Sequence, residues 1–234
     1  MSPGLSRLAR GARRAGFQLV AVVAALIAVA VVLVHRHGAT ADPDTGDVVR
    51  VGVAQGASIP AYVRSSQSRL SAMPAGQSGY ALVSLTGYLA PGQLVPVLAG
   101  VESFQVYARV PLPNTQTAIE KIPVDRIPDD VIAGMNTVAG ERAAQAARTG
   151  DRVAAAEAAS YRQHCACVYA AVVRAPAGTL RQLASRESVR VVDPAPAVTQ
   201  LDDAVFLPPL PEQKDIAAPP ADDAPPPSVT PGGD

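Results

Sequence analysis

The chain has no tryptophan, only three phenylalanines and six tyrosines. A core must therefore come from Val, Leu, Ile and Ala, and a sugar-binding platform of stacked aromatic rings is not expected. Lysine is scarce, occurring only at 121 and 214, so arginine carries most of the positive charge. Catalytic signatures are missing as well: there is no G-x-S-x-G, no H-E-x-x-H, no S-x-x-K with its partner motifs and no P-loop. Of the three histidines, His35 and His37 directly follow an apolar run, leaving His164 for any Ser or Cys nucleophile. An adjacent i,i+1 residue does not face it correctly. These absences predict a non-enzymatic protein without a cofactor. A hydrolase stays open in principle, because the two carboxylates of a glycosidase can lie far apart in a sequence.

No acidic residue precedes Asp42. That absence frames the longest apolar run, Phe17 to Val34, which holds no charge, no Pro and no Gly. As a helix its eighteen residues span about 27 Å, close to the ~30 Å hydrocarbon core of a bilayer. A helix satisfies every backbone polar group within the segment, so residues 17–34 are read as a transmembrane helix in contact with the lipid bilayer. Arg7, Arg10, Arg13 and Arg14 precede it, which places the leader 1–16 in the cytoplasm and the rest outside the plasma membrane. The competing reading is secretion, with a signal peptide cleaved after Ala41 at Ala39-Thr40-Ala41. Against it, the apolar core exceeds the usual ~7–15 residues of such a signal. In either case most of the chain is exported.

Residues 42–234 carry a net charge of −5. Nucleic acid needs a basic face and is excluded as a partner.

Residues 35–78 read as a juxtamembrane linker. Within it the β-branched run Val48 to Val53 predicts a strand. Ser58 before Ile59-Pro60 predicts an N-cap, followed by a helix over 59–73 that ends at Pro74-Ala75-Gly76.

An extracytoplasmic domain is expected over 79–207, and its clearest signal is an internal repeat. Tyr80 to Leu85, then Ala90-Pro91-Gly92-Gln93-Leu94, Leu98-Ala99 and Glu102 to Val106 form one copy. Tyr169 to Val173, then Ala175-Pro176-Ala177-Gly178-Thr179-Leu180, Leu183-Ala184 and Glu187 to Val191 form the other. Each copy reads as strand, short helix, strand, with leucines at helical spacing to cover one sheet face. Two such units in series predict an α+β fold, a ferredoxin-like βαββαβ plait.

Between the copies lies a predicted insertion, 111–163. Pro111, Pro113, Pro123 and Pro128 keep its first part extended. Asp129-Asp130 then opens a helix to about 148, and Gly150-Asp151 divides it from a second over 151–163. The insertion is read either as a lid over a sheet face or as a docking or self-association hairpin, so a homo-oligomer is one possible state. Ala204 to Leu207 adds one more short strand or packs on the domain. From Pro208 to Asp234 the chain is dense in proline and is expected to be a disordered tail, partly in the polyproline II conformation.

The one chemical cluster is His164-Cys165-Ala166-Cys167. Outside the membrane thiols tend to oxidise, so a disulfide between Cys165 and Cys167 is the first reading. Two buried free thiols come next. A metal site for Cu(I) or Zn is the third, with too few ligands for a closed tetrahedral shell.

In general outline the repeat resembles small regulatory and prodomain-type α/β plaits. Over most of its length the chain resembles predicted single-pass envelope proteins of high-GC Gram-positive bacteria. That resemblance implies a membrane-anchored binding or scaffold protein that meets another membrane or envelope protein.

Overall fold

A computed structural model describes residues 48–223. The expected leader 1–16, the span 17–34, the site at Ala39 to Ala41 and residues 224–234 lie outside the described residues. Among the described residues no helix is long and apolar enough to cross a membrane.

The fold is α+β, with one antiparallel and one parallel sheet and five α-helices among the described residues. The elements in chain order are β1 (Val49–Gly52), α1 (Ile59–Ala72), β2 (Ser78–Leu89), α2 (Pro91–Val97) and β3 (Glu102–Ala108). Then follow β4 (Glu120–Pro123), α3 (Asp129–Thr149) and α4 (Arg152–Arg162). The chain continues with β5 (Val168–Pro176), α5 (Ala177–Ala184), β6 (Val189–Ala195) and β7 (Ala204–Leu207).

The five-stranded sheet runs β4-β3-β5-β2-β6, every neighbour antiparallel. Its two central strands are the first strands of the two repeat copies. Each copy's second strand pairs with the other copy's first strand, as in Val83↔Val192 and Val106↔Ala171. The copies are therefore interlocked, and neither can complete its sheet alone.

One sheet face carries Ala81, Val83, Leu85, Val106, Ala171 and Val173, all buried under helices. From α2 come Leu94 and Val97, from α5 Leu180 and Leu183. Full burial of a leucine stabilises by about 1.5–3 kcal/mol relative to leaving it exposed. The insertion helices complete this layer, with Val131, Met135 and Val138 of α3 and Tyr161 of α4 in the same core. The lid expected of the insertion is thus a lid over the β4–β3 side of the sheet. Its local signals also hold: Gly150 sits at φ +71°, and the Asp151 carboxylate accepts from the Val153 and Ala154 amides.

Three expectations need correction. Residues 49–73 are no linker. Strand β1 pairs in parallel with β7, and α1, capped by Ser58, packs along β6. Gly52, at φ +116°, lies so close to the Leu207 carbonyl that a Cβ there would overlap it. The domain therefore begins by residue 48. Second, the proline-punctuated start of the insertion is not merely extended, because Glu120–Pro123 joins the sheet edge as β4, with Val106 opposite Ile122. Third, residues 208–223 of the expected tail run along the domain. Leu210 and Ala217 are buried, Arg190 donates to the Leu210 and Gln213 carbonyls at 3.2 and 2.7 Å, and Ser58 bridges Ile216. Composition alone judges a segment by the core it can build for itself. This one uses the domain's core instead, and its proline carbonyls still accept hydrogen bonds.

Candidate functional site

Cys165 and Cys167 are joined by a disulfide, with their Cα atoms 5.3 Å apart. Cys167 is fully buried where β5 begins, its amide bonded to the Leu89 carbonyl and its carbonyl accepting from the Arg109 amide. Cys165 is part-exposed in the turn after α4. His164, at φ +49°, has Nε2 3.1 Å from Asn136 Oδ1 on α3, so its ring is tied to the insertion. Among the described residues no three His, Cys, Asp or Glu side chains converge in a way that could hold a metal ion.

The second sheet face is different. Leu82, Tyr107, Tyr169 and Val172 point away from the helices and meet Val51, Phe206 and Leu210 of the β1–β7 layer and the C-terminal segment. This layer covers the face only in part. Between β7 and β4 it leaves an open cavity of about 500 Å³. Tyr107 and Tyr169 form its floor, Ile119 and Lys121 one wall, Val205, Phe206 and Leu207 the other. That volume lies within the ~300–1,000 Å³ range of small-molecule sites.

Three of the six tyrosines meet here, a gathering that no local signal announces. Tyr88 and Tyr169 pack edge to face with centroids 5.9 Å apart, Tyr107 and Tyr169 likewise at 6.4 Å. The Lys121 ammonium stands 6.0 Å from the Tyr107 ring centroid. Tyr107 donates its hydroxyl to the Phe206 carbonyl at 3.2 Å. Tyr169 is fully buried, and its hydroxyl has no hydrogen-bond partner among the described residues.

Behind the tyrosines lies a buried cation, Arg109. It donates to Glu212 Oε1 at 2.6 Å, to the Tyr88 hydroxyl at 3.0 Å and to the Thr115 carbonyl at 3.0 Å. Tyr88 in turn donates to Glu212 Oε2 at 3.0 Å. Burial pushes the Tyr88 hydroxyl up to about 12, partly opposed by Arg109. Burial likewise raises Tyr107 and Tyr169, the latter further disfavoured as an anion by the neighbouring Tyr88 and Tyr107. Burial thus favours the protonated form of all three phenols, in which a hydroxyl can donate a hydrogen bond.

The cysteine pair that sequence reading singled out does not line this cavity. The cavity residues come from the loop after β1, from β3, β4 and the residue before it, β5, β7 and the C-terminal segment, and only the scarcity of lysine could have drawn attention to Lys121. Comparison with known proteins finds no match to a family model, a curated protein or a solved structure.

Proposed function

We propose that this chain is a single-pass, membrane-anchored binding or scaffold protein on the outer side of a bacterial plasma membrane, and that it is not an enzyme. Residues 17–34 would hold it in the lipid bilayer. The folded unit would be a ferredoxin-like βαββαβ plait with a helical insertion, a reading supported by the exchange of strands between the two repeat copies. The observation that carries the functional reading is the cavity beside Tyr107 and Tyr169. It offers apolar walls from Ile119, Val205 and Leu207 and one ammonium, that of Lys121. Its partner would be another membrane or envelope protein, an envelope component, or a second copy of the chain. In-cell crosslinking from the exposed face of α3 and α4 tests this. Recovery of a defined envelope partner supports it, and a chain that crosslinks to nothing removes the scaffold role.

A second reading, a thiol-active or metal-handling envelope protein, is favoured by the partial exposure of Cys165 beside His164. A Cys165→Ala/Cys167→Ala double variant with undiminished function in cells would eliminate it.

A further inference from the structure

We infer that β7 is a docking edge, to which an extended segment of an envelope partner adds as a third, antiparallel strand. The segment lies in the cavity over Tyr107 and carries β-branched residues followed by basic ones. The inference rests on the binding reading above and gives the form that its partner takes.

Among the described residues the two sheets end on β4, β6, β1 and β7. Natural proteins guard such edges with proline, lysine or a covering element, because unpaired amides and carbonyls recruit other strands. Strand β4 carries Lys121 and Pro123, and β6 carries Pro194 with α1 packed along it. On β1 the outward Gly52 amide is taken by Asp193 Oδ2 at 3.1 Å, and the other outward residue is the charged Arg50. Strand β7, Ala204–Leu207, has neither proline nor charge.

The ladder fixes which groups β7 leaves open. The Val53 amide donates to the Leu207 carbonyl at 2.9 Å, so Val205 and Leu207 bond to β1 while Ala204 and Phe206 turn their main chain toward the cavity. There the Ala204 amide is bonded to the Leu201 carbonyl, and the Phe206 carbonyl accepts from the Tyr107 hydroxyl with one lone pair to spare. The Phe206 amide and the Ala204 carbonyl have no partner among the described residues. An antiparallel strand exchanges both main-chain bonds with Phe206 and donates to Ala204. A strand lies ~4.8 Å from its neighbour and ~10 Å above a sheet beneath it, and the cavity provides that place beside β7 and over Tyr107. The side chain opposite Phe206 faces Tyr107, and its neighbours lie beside the exposed Val205 and Leu207, so both faces favour β-branched residues. Asp202 and Asp203, exposed just before β7, pair with no cation among the described residues. An antiparallel strand passes them with its C-terminal residues, and charge complementarity makes these basic. A second copy adding through its own β7 would bring its five-stranded sheet into the layer that β3 and β4 already fill, so the occupant is a lone segment.

The test uses the full-length protein in detergent micelles and a synthetic peptide of alternating valine and threonine that ends in two lysines. At saturating peptide the Phe206 amide is expected to exchange with solvent at least about tenfold more slowly, read by NMR. With the valines facing Tyr107, their amides face β7. N-methylation of the valines should therefore weaken binding at least about tenfold, and N-methylation of the threonines less than about twofold. The lysine-tailed peptide should bind about threefold better than a glutamate-tailed one, and an Asp202→Asn/Asp203→Asn double variant, shown by thermal melting to be folded, should lose that preference. Unchanged exchange at Phe206, equal loss from methylation in both phases, or a lysine preference that survives the double variant would each overturn the inference. A peptide that fails at β7 while crosslinking from α3 and α4 still recovers an envelope partner sinks this inference and leaves the binding reading standing. A docked peptide with no partner recovered in cells removes the scaffold role and leaves the edge as assigned.

Discussion

At the residue scale, Glu157 is held where its charge is disfavoured. It is buried on α4, with Oε1 accepting from the Ala118 amide at 2.8 Å and Oε2 3.7 Å from Arg142 Nε. Burial raises its pKa more than the Ala118 amide and Arg142 lower it. The folded state therefore holds this proton more tightly than the unfolded chain does. The group's contribution is most favourable below the ordinary glutamate value of about 4.3 and is lost as pH rises through the raised value. Glu157→Gln keeps the oxygen that faces Ala118 and removes the charge. Urea unfolding across pH should show a smaller loss of stability between about pH 4 and neutrality, at a cost under about 1 kcal/mol. An unchanged pH slope would refute the assignment. Asp130 behaves oppositely, because the Arg126 and Asp125 amides hold its carboxyl below the usual range, so its contribution fades as pH falls. Glycine makes an equally sharp contrast within α3. A Cβ at Gly134 would run into Ile122 of β4, whereas Gly140 faces open space. Gly140→Ala should stabilise by roughly 0.5–1 kcal/mol through helix propensity alone. Gly134→Ala should destabilise by about 1–3 kcal/mol through overpacking, and equal melting shifts for the two would contradict this packing.

At the scale of elements, the C-terminal segment 208–223 acts as a strap. It neutralises Arg109 through Glu212 and covers Phe206 with Leu210. Arg109 is almost fully buried while Glu212 is half exposed, so losing the carboxylate strands a buried cation that keeps only Tyr88 and Thr115. Glu212→Ala is expected to cost about 1–2 kcal/mol, less than breaking a fully buried pair because water reaches Glu212. A change within error in chemical denaturation would mean that the strap is not held there. The disulfide is a smaller tie. Its ring spans only residues 165–167, and on the chain-entropy view so short a loop stabilises by about 1.5 kcal/mol. Reduction should therefore lower the melting temperature modestly and leave the fold intact. Complete unfolding on reduction would show that Cys167, set between Leu89 and Arg109, holds far more than its ring.

For the whole molecule, the expected arrangement is one apolar rod in lipid and one folded unit outside. Protease added to intact spheroplasts should degrade the unit from residue 48 onward, and alkaline washing should leave the uncut chain in the membrane fraction. Protection of the unit would reverse the topology. Release by alkali would show that residues 17–34 do not span the bilayer.

Much of the fold was legible because its signals are local. Ser58 announced the cap of α1, Gly150-Asp151 the break between α3 and α4, and the recurrence of Tyr80 to Val106 in Tyr169 to Val191 the paired strand–helix–strand units. Strand β4 was hidden by its flanking prolines, and the strap by its composition. The cavity was invisible, since Lys121, Tyr169 and Val205 are far apart along the chain and the repeat that contains Tyr169 speaks only to the strand it lies in. By itself the sequence determined the helices, the repeat and its strands, because capping, periodicity and turn chemistry act over a few residues. Only the tertiary structure decided that β7 leaves an open cavity on the side of β4. That gap depends on how one layer lies over another, and nothing in the order of neighbouring residues encodes it.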